Sequence, residues 1–253
     1  MPRELEAIFF DVDDTLFSTT EFALRARRAA VRAMRDAGLD HPLDRLEREL
    51  EEVVGEFSSN YGNHFDKLLL RVPPGCHAGT NPALIVAAGV IAYHRTKTEE
   101  LTAYPDAREL LERLAGTRLV RGIITAGLAI KQAEKLIRLD LVRYLTPRAI
   151  FISEQIGISK PNVKLYGRAC DAVGVDPTRA MYVGDNPESD VAPPRRLGMI
   201  TVRLRRSGKY RDVPSPEPPH YEVARFDELA RILERDFEVP LAEPALARPG
   251  VDA

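Results

Sequence analysis

The residues best suited to chemistry come first in the chain, in Ala7-Ile8-Phe9-Phe10-Asp11-Val12-Asp13-Asp14-Thr15-Leu16. Four apolar residues run straight into carboxylates with no amphipathic period between. That reads as a strand buried on both faces, central in a parallel sheet. Its acids then emerge at the C-terminal edge, where open α/β sheets bind ligands. Side chains two apart on a strand share a face, so Asp11 and Asp13 are expected in one pocket while Asp14 turns away. A strand ending in a solvated acidic turn would look the same in this peptide alone. Three later stretches decide between them. Ile123-Ile124-Thr125-Ala126-Gly127 ends an apolar run in a hydroxyl and two small residues. Gly157-Ile158-Ser159-Lys160-Pro161 puts a lysine just ahead of a helix that Pro161 can start. Val183-Gly184-Asp185 closes a further run, and Asp190 follows five residues later.

Phosphoryl transfer needs such a set. A carboxylate is a competent nucleophile toward phosphorus once metal coordination or charge pairing has reduced the repulsion between anions. Mg²⁺ takes hard oxygen ligands, which Asp11 and Asp185 supply. Lys160 balances charge on the phosphoryl oxygens and the nucleophile. The Thr125 hydroxyl, with the backbone N–H groups of Ala126 and Gly127, suits a phosphate cradle. Asp13 is placed to protonate a leaving oxygen and then to deprotonate water, a role worth ~10²–10⁴ in rate.

The elements that must position these groups follow two periods. From Phe17 to about Thr102 the pattern is helical. Ser18 and Glu21 fit a capping box. Apolar stripes follow at Phe22–Met34, Leu43–Phe57 and Phe65–Val72, and Asn81-Pro82 opens a fourth helix. From Pro105 the period becomes β/α alternation. Helices are expected at Ala107–Ala115, Ile130–Leu139 and Val163–Val173. Strands are expected at Leu119–Thr125, Ala149–Ser153, Ala180–Gly184 and Ile200–Leu204, with a minor edge strand at Tyr221–Val223 and a last helix at Phe226–Phe237. The fold class is thus α/β, a Rossmann-like parallel sheet with an inserted all-helical domain. Residues 1–16 and 103–237 form the core, 17–102 the insert, and 238–253 a poorly ordered tail.

Composition narrows the partners. The 253 residues carry a formal charge of −2, no electrostatic footprint for nucleic acid or an anionic membrane. The longest nearly unbroken apolar run, Ala83 to Tyr93, is too short to span a bilayer. No signal peptide is visible, and Cys76 and Cys170 are single and far apart, so a reducing cytoplasm is the expected setting. The Arg203, Arg205, Arg206, Lys209, Arg211 cluster reads as a solvated basic loop.

D-x-D-x-T, a strand ending in Thr, Lys-Pro and G-D-x-x-x-x-D, each at a strand end, together resemble the haloacid dehalogenase (HAD) superfamily over residues 7–204. The helical insert resembles its subclass I cap. The resemblance implies a Mg²⁺-dependent enzyme working through an aspartyl-phosphate intermediate. Asp11 would be the nucleophile, Asp13 the acid–base residue, and Thr125, Ala126 and Lys160 the phosphate binders. Asp185 and Asp190 would be the metal-side acids, joined by the Asp13 carbonyl. Dehalogenases of the superfamily lack an acid at the position of Asp13, so a phosphatase of a small phosphorylated metabolite is expected. Stretches such as His64-Phe65-Asp66 and Ala88-Gly89-Val90-Ile91-Ala92-Tyr93-His94 resemble archaeal members described as glyceraldehyde 3-phosphate phosphatases. Asn60, His64 and Tyr93 are candidates for substrate selection. Phosphomutase or other phosphotransferase chemistry is the alternative, followed by a phospho-accepting receiver domain. The helices also leave room for a homodimer. Two departures stand out: Pro193-Pro194 replaces the usual Gly-Ala, so a late or distorted helix start is expected there, and Ala126 replaces an Asn that often follows the Thr.

Overall fold

In the computed structural model, which describes residues 4–206 and 208–243, the apolar run of the first motif is the strand β1 (Ala7–Phe10), with every residue buried. A chain buried on both faces must sit inside a sheet, and β1 does. The sheet has the order β3-β2-β1-β4-β5-β6 and every pairing is parallel. The other strands are β2 (Val120–Thr125), β3 (Ile150–Ile152), β4 (Ala180–Gly184), β5 (Ile200–Leu204) and β6 (Tyr221–Val223). β1 lies between β2 and β4, so the order reverses beside it. That is the switch point at which doubly wound sheets open a crevice. Asp11 N–H donates to the Val183 carbonyl (2.9 Å), carrying the register one residue past β1 toward the end of β4.

Two compact units divide the chain: residues 1–20 with 102–253, and residues 21–101. The second is built from most of α1 (Thr19–Asp36), then α2 (Leu43–Phe57), α3 (His64–Arg71) and α4 (Pro82–Glu100). Its interior is Ala30, Val31, Met34, Leu39, Leu46, Leu50, Leu68 and Ile85. Asn81 caps α4 by accepting from Ala83 N–H (2.9 Å), with Pro82 at the first helical position.

In the first unit, α5 (Pro105–Ala115) and α6 (Ala129–Arg138) flank β2 in sequence. A single turn, α7 (Ser153–Ile156), follows β3; α8 (Val163–Val173) precedes β4; α9 (Ala192–Arg196) precedes β5; and α10 (Phe226–Phe237) follows β6. Phe9, Ile124, Leu165, Tyr166, Tyr182 and Met199 pack one core of this unit. No helix among the described residues is long and apolar enough to cross a membrane.

The structure corrects three expectations. Pro161 does not start α8. The helix begins at Val163, and Asn162 caps it through Lys164 N–H (3.0 Å), leaving Lys160 in a loop. Asn accepts that bond where Pro, lacking a side-chain acceptor, cannot. The tail is anchored at its start: Val239 is buried, and Arg113 Nε donates to the Ala242 carbonyl (2.8 Å). The rest of the expected tail, from residue 244, lies outside the described residues. The basic cluster is divided: Arg205, Lys209 and Arg211 are exposed as expected, whereas Arg203 and Arg206 are held by protein groups. Arg203 is buried and donates to the carbonyls of Tyr210 and Val213. Arg206 grips Asp106 at 2.6 and 2.7 Å and lies 4.0 Å over the Tyr104 ring.

Candidate active site

The site forms where four strand ends meet, and each contributes for a local reason. β1 delivers Asp11 at its C-terminal end. β4 delivers Gly184 and Asp185, and the chain then makes one wide turn, Pro187–Val191, before α9. That turn carries an N–H bonded five residues back, from Ala192 to the Pro187 carbonyl. It delays the helix, as Pro193-Pro194 requires, because neither proline has an N–H to donate. Asp190 is thereby aimed back at the sheet. A Cβ on Gly184 would stand 2.4 Å from Asp190 Oδ2, so only glycine lets that acid approach.

Lys160 closes the centre. Its ammonium donates to Asp11 Oδ1 (2.6 Å) and Asp190 Oδ1 (2.8 Å), and lies 5.1 Å over the Tyr182 ring. All three charged groups are buried, the lysine side chain 6% exposed and Asp190 1%. The Tyr182 hydroxyl donates to the Ile124 carbonyl (2.8 Å) and reaches Asp190 Oδ1 (3.5 Å). One phenol therefore ties the end of β2 to the acid of the last motif. Burial would push the lysine toward its neutral form, but Asp11 and Asp190 outweigh it and hold the ammonium well above its ordinary value.

The acids show the converse balance. Burial, with Asp190 and Asp13 nearby, raises Asp11 to about 7 in spite of Lys160. Burial, then Asp190, Asp11 and Asp14, raises Asp185 to about 9. Crowded buried carboxylates are short of positive charge. Asp11, Asp185 and Asp190 each bring an oxygen within 4.8 Å of the others. Asp185 Oδ2 is buried and has no hydrogen-bond partner, and neither has the buried Thr125 hydroxyl. An all-carboxylate oxygen set suits Mg²⁺, so the residues fit that ion. Asp190 is the most committed of the three, since its Oδ2 also accepts Asn186 N–H (3.0 Å).

Asp13 stands apart electrostatically. Oδ1 accepts from Thr19 Oγ1 (2.6 Å) and Lys135 Nζ (2.6 Å); Oδ2 accepts from Gln132 Nε2 (2.9 Å) and Lys135 Nζ (2.8 Å). A carboxylate offers about four lone-pair sites, and all four are occupied. Burial alone would raise this group, but the Lys135 charge and the bonds from Lys135, Thr19 and Gln132 hold it below its ordinary value. Asp14 turns away as expected, at φ +55°, accepting Thr20 N–H (3.0 Å) at the start of α1.

The predicted residues are thus sorted. Asp11, Lys160, Asp185 and Asp190 converge, and Thr125 is buried at the neighbouring strand end. The Gly127 N–H is not free for a phosphate cradle, because Ser153 Oγ already accepts it (3.0 Å). Ala126 offers its carbonyl to Gln132 (2.9 Å). In the helical unit, His64 Nε2 pairs with the Ser58 carbonyl (2.8 Å), and Tyr93 packs on Phe65 and His94. Asn60 lies in the exposed loop before α3. Sequence reasoning missed Thr19, Gln132, Lys135 and Tyr182. A signal existed for one: Gln132, Leu136 and Leu139 fall on one helical stripe, so a glutamine stands where a core residue is due, with Lys135 beside it.

A haloacid dehalogenase-like hydrolase family model matches residues 5–198. The chain belongs to that family. It is similar to the glyceraldehyde 3-phosphate phosphatases of Methanopyrus kandleri, 43% identical over 90% of this chain and 97% of the relative, and Pyrococcus furiosus, 39% over 92% and 95%. Among solved structures it resembles a HAD phosphatase from Thermococcus onnurineus, with a TM-score of 0.62 at 23% identity over 90% of this chain and 98% of the other. A β-phosphoglucomutase-like protein from Thermotoga maritima shares the fold at a TM-score of 0.65 and 19% identity over 91% and 99%. The expectation of a HAD-type phosphatase is met.

Proposed function

We propose that this phosphatase hydrolyses glyceraldehyde 3-phosphate, or a closely similar small phosphate monoester, through an aspartyl phosphate on Asp11. The observation that carries the chemistry is the Asp11 carboxylate held 2.6 Å from the buried Lys160 ammonium at the sheet's switch point, beside the unpartnered Asp185 Oδ2. The substrate rests on the name shared by relatives that align nearly end to end with the chain.

Asp11, Asp185 and the Asp13 carbonyl would hold Mg²⁺, with Asp190 behind them. When bound, the ion offsets anionic charge on the transferring phosphoryl group. Lys160 orients Asp11 and supplies fixed positive charge where phosphoryl oxygens gather. An Asp11 oxygen attacks phosphorus as the ester bond to the triose breaks, and Asp13 gives its proton to the departing oxygen. Asp13 then takes a proton from water, whose oxygen attacks the aspartyl phosphate and releases inorganic phosphate. The ionised Asp13 described above is the form that second half needs. For the first half one of its donors must withdraw so that the carboxylate can carry a proton.

The test is phosphate release from a panel of phosphorylated metabolites, triose phosphates included, with Mg²⁺ and with EDTA. Asp11→Asn is expected to lose more than ~10³-fold in kcat while remaining folded, the scale seen for an enzyme stripped of its nucleophile. A fully active Asp11→Asn protein ends the mechanism. Weak turnover of glyceraldehyde 3-phosphate beside strong turnover of another ester ends the substrate assignment alone. Undiminished turnover in chelator removes the metal.

A further inference from the structure

Asp13 is surrounded by more donors than acid–base exchange with a substrate requires. Two of its donors come from a single turn of α6, where residues three apart share a face. Lys135 Nζ bonds both carboxylate oxygens, at 2.6 and 2.8 Å, and Gln132 Nε2 bonds Oδ2 at 2.9 Å. Neither side chain is loose in solvent. Gln132 is 4% exposed, and Lys135 Nζ lies 6.0 Å over the Phe17 ring. The same Gln132 amide donates to the Ala126 carbonyl (2.9 Å) and stands 2.7 Å from where a Cβ on Gly127 would be. It therefore ties the loop after β2 to the acid after β1. An exposed ion pair would contribute little and fix nothing; here a buried amide and a bifurcated ammonium fill every acceptor site that Thr19 leaves.

Granting Asp13 the acid–base role proposed above, we infer that Lys135 and Gln132 are positioning residues for proton transfer: they fix the orientation of the Asp13 carboxylate toward the leaving oxygen. Proton transfer demands hydrogen-bond reach to the reacting atom, and a catalytic base is commonly oriented by a third group. Lys135 is the more important of the two. Bonded to both oxygens, it can keep one while the other gives or takes the proton. Gln132 sets the plane of the carboxylate from the opposite side to Thr19.

The experiment measures kcat/KM of the Mg²⁺-loaded enzyme on phosphate monoesters whose leaving groups run from nitrophenol to simple alcohols. This parameter covers steps up to the first phosphoryl transfer, where an alcohol needs a proton and nitrophenolate does not. Lys135→Met is expected to lose ~10²-fold on alkyl phosphates, the cost of a misplaced catalytic group, and less than about threefold on p-nitrophenyl phosphate. Lys135→Arg, which keeps the pair, is expected to recover most of that loss. In an Asp13→Asn background, Lys135→Met should change the rate by less than about twofold, since a residue acting through another adds nothing once that other is gone. Should Lys135→Met not fold, Gln132→Met on the same series decides, with the same pattern at smaller size. An equal loss on every ester, a gain on alkyl phosphates, or full additivity with Asp13→Asn overturns the inference. If Asp13→Asn itself gains no sensitivity to the leaving group, the acid–base assignment fails first. If Asp13→Asn gains it and Lys135→Met does not, the inference alone fails.

Discussion

The rim of the sheet and the helical unit of residues 21–101 handle charge in opposite ways. At the rim, Asp11, Asp185, Asp190 and Lys160 are buried against one another, and burial of that kind is costly unless each ion is compensated. In the helical unit the ion pairs lie outside. Arg25–Glu100, Arg28–Glu47 and Arg48–Asp44 are at least a third exposed on one or both partners, and the interior is apolar, mostly leucine with alanine, valine, Met34, Phe65 and Ile85. Exposed pairs of this type contribute little. The contrast teaches where chemistry resides: a crowd of buried like charges around one lysine marks a functional site, whereas the exposed pairs mark none. The helical unit is ordinary in its energetics, with its charges at the surface and an apolar interior.

Substitutions can break that contrast. The largest effect is expected from Lys160→Met, which leaves two buried carboxylates facing each other. It should cost about 3–5 kcal/mol of stability, as when one partner of a buried pair is removed, and ~10²–10³ in kcat. Urea unfolding and steady-state phosphate release check both, and a stable, active variant would erase the distinction between the regions.

A middle case is Asp106, on α5 of the core unit, which holds Arg206 and Phe226 N–H (3.0 Å). Burial would raise its carboxyl, but the Arg206 and Phe226 bonds outweigh it and keep it below its ordinary value. A folded value below the unfolded one gives stability that is present above about pH 4 and lost as pH falls through the folded value. Asp106→Asn is thus expected to cost about 1–3 kcal/mol at neutral pH and progressively less in acid. Denaturation curves at neutral and strongly acidic pH measure this, and a penalty constant across that range contradicts it.

The smallest effects should come from the helical unit. Asn60→Ala and His64→Ala are each expected to change kcat/KM for glyceraldehyde 3-phosphate by less than about tenfold, the worth of one hydrogen bond. Turnover of p-nitrophenyl phosphate should stay unmoved. A loss on both substrates would bring these residues into the chemistry.

Much of this was legible beforehand because strand-end motifs are local statements. Ala7–Phe10 announces its burial through unbroken apolarity, and Asp11, Lys160, Asp185 and Asp190 meet because a parallel sheet places all strand ends on one rim. What stayed hidden depended on side-chain direction across distant segments. Lys135 lies 122 positions from Asp13, and on a helix surface a lysine announces nothing. Tyr182 read as a strand residue, although its hydroxyl links β2 to Asp190. Arg206 read as solvated because its partner Asp106 is a hundred residues away. Helix ends were not all equally legible: α8 spans the expected Val163–Val173, whereas α5 begins at Pro105, two residues before the expected Ala107.

The uniform direction of the six strands has a practical corollary. Their N-terminal ends form the opposite rim, and a five-residue strand such as β4 separates the two by about 15 Å. The turns entering that far side, around Thr117 and Pro177, are therefore sensible places to fasten a fluorophore or tether the protein to a surface, out of reach of the working carboxylates.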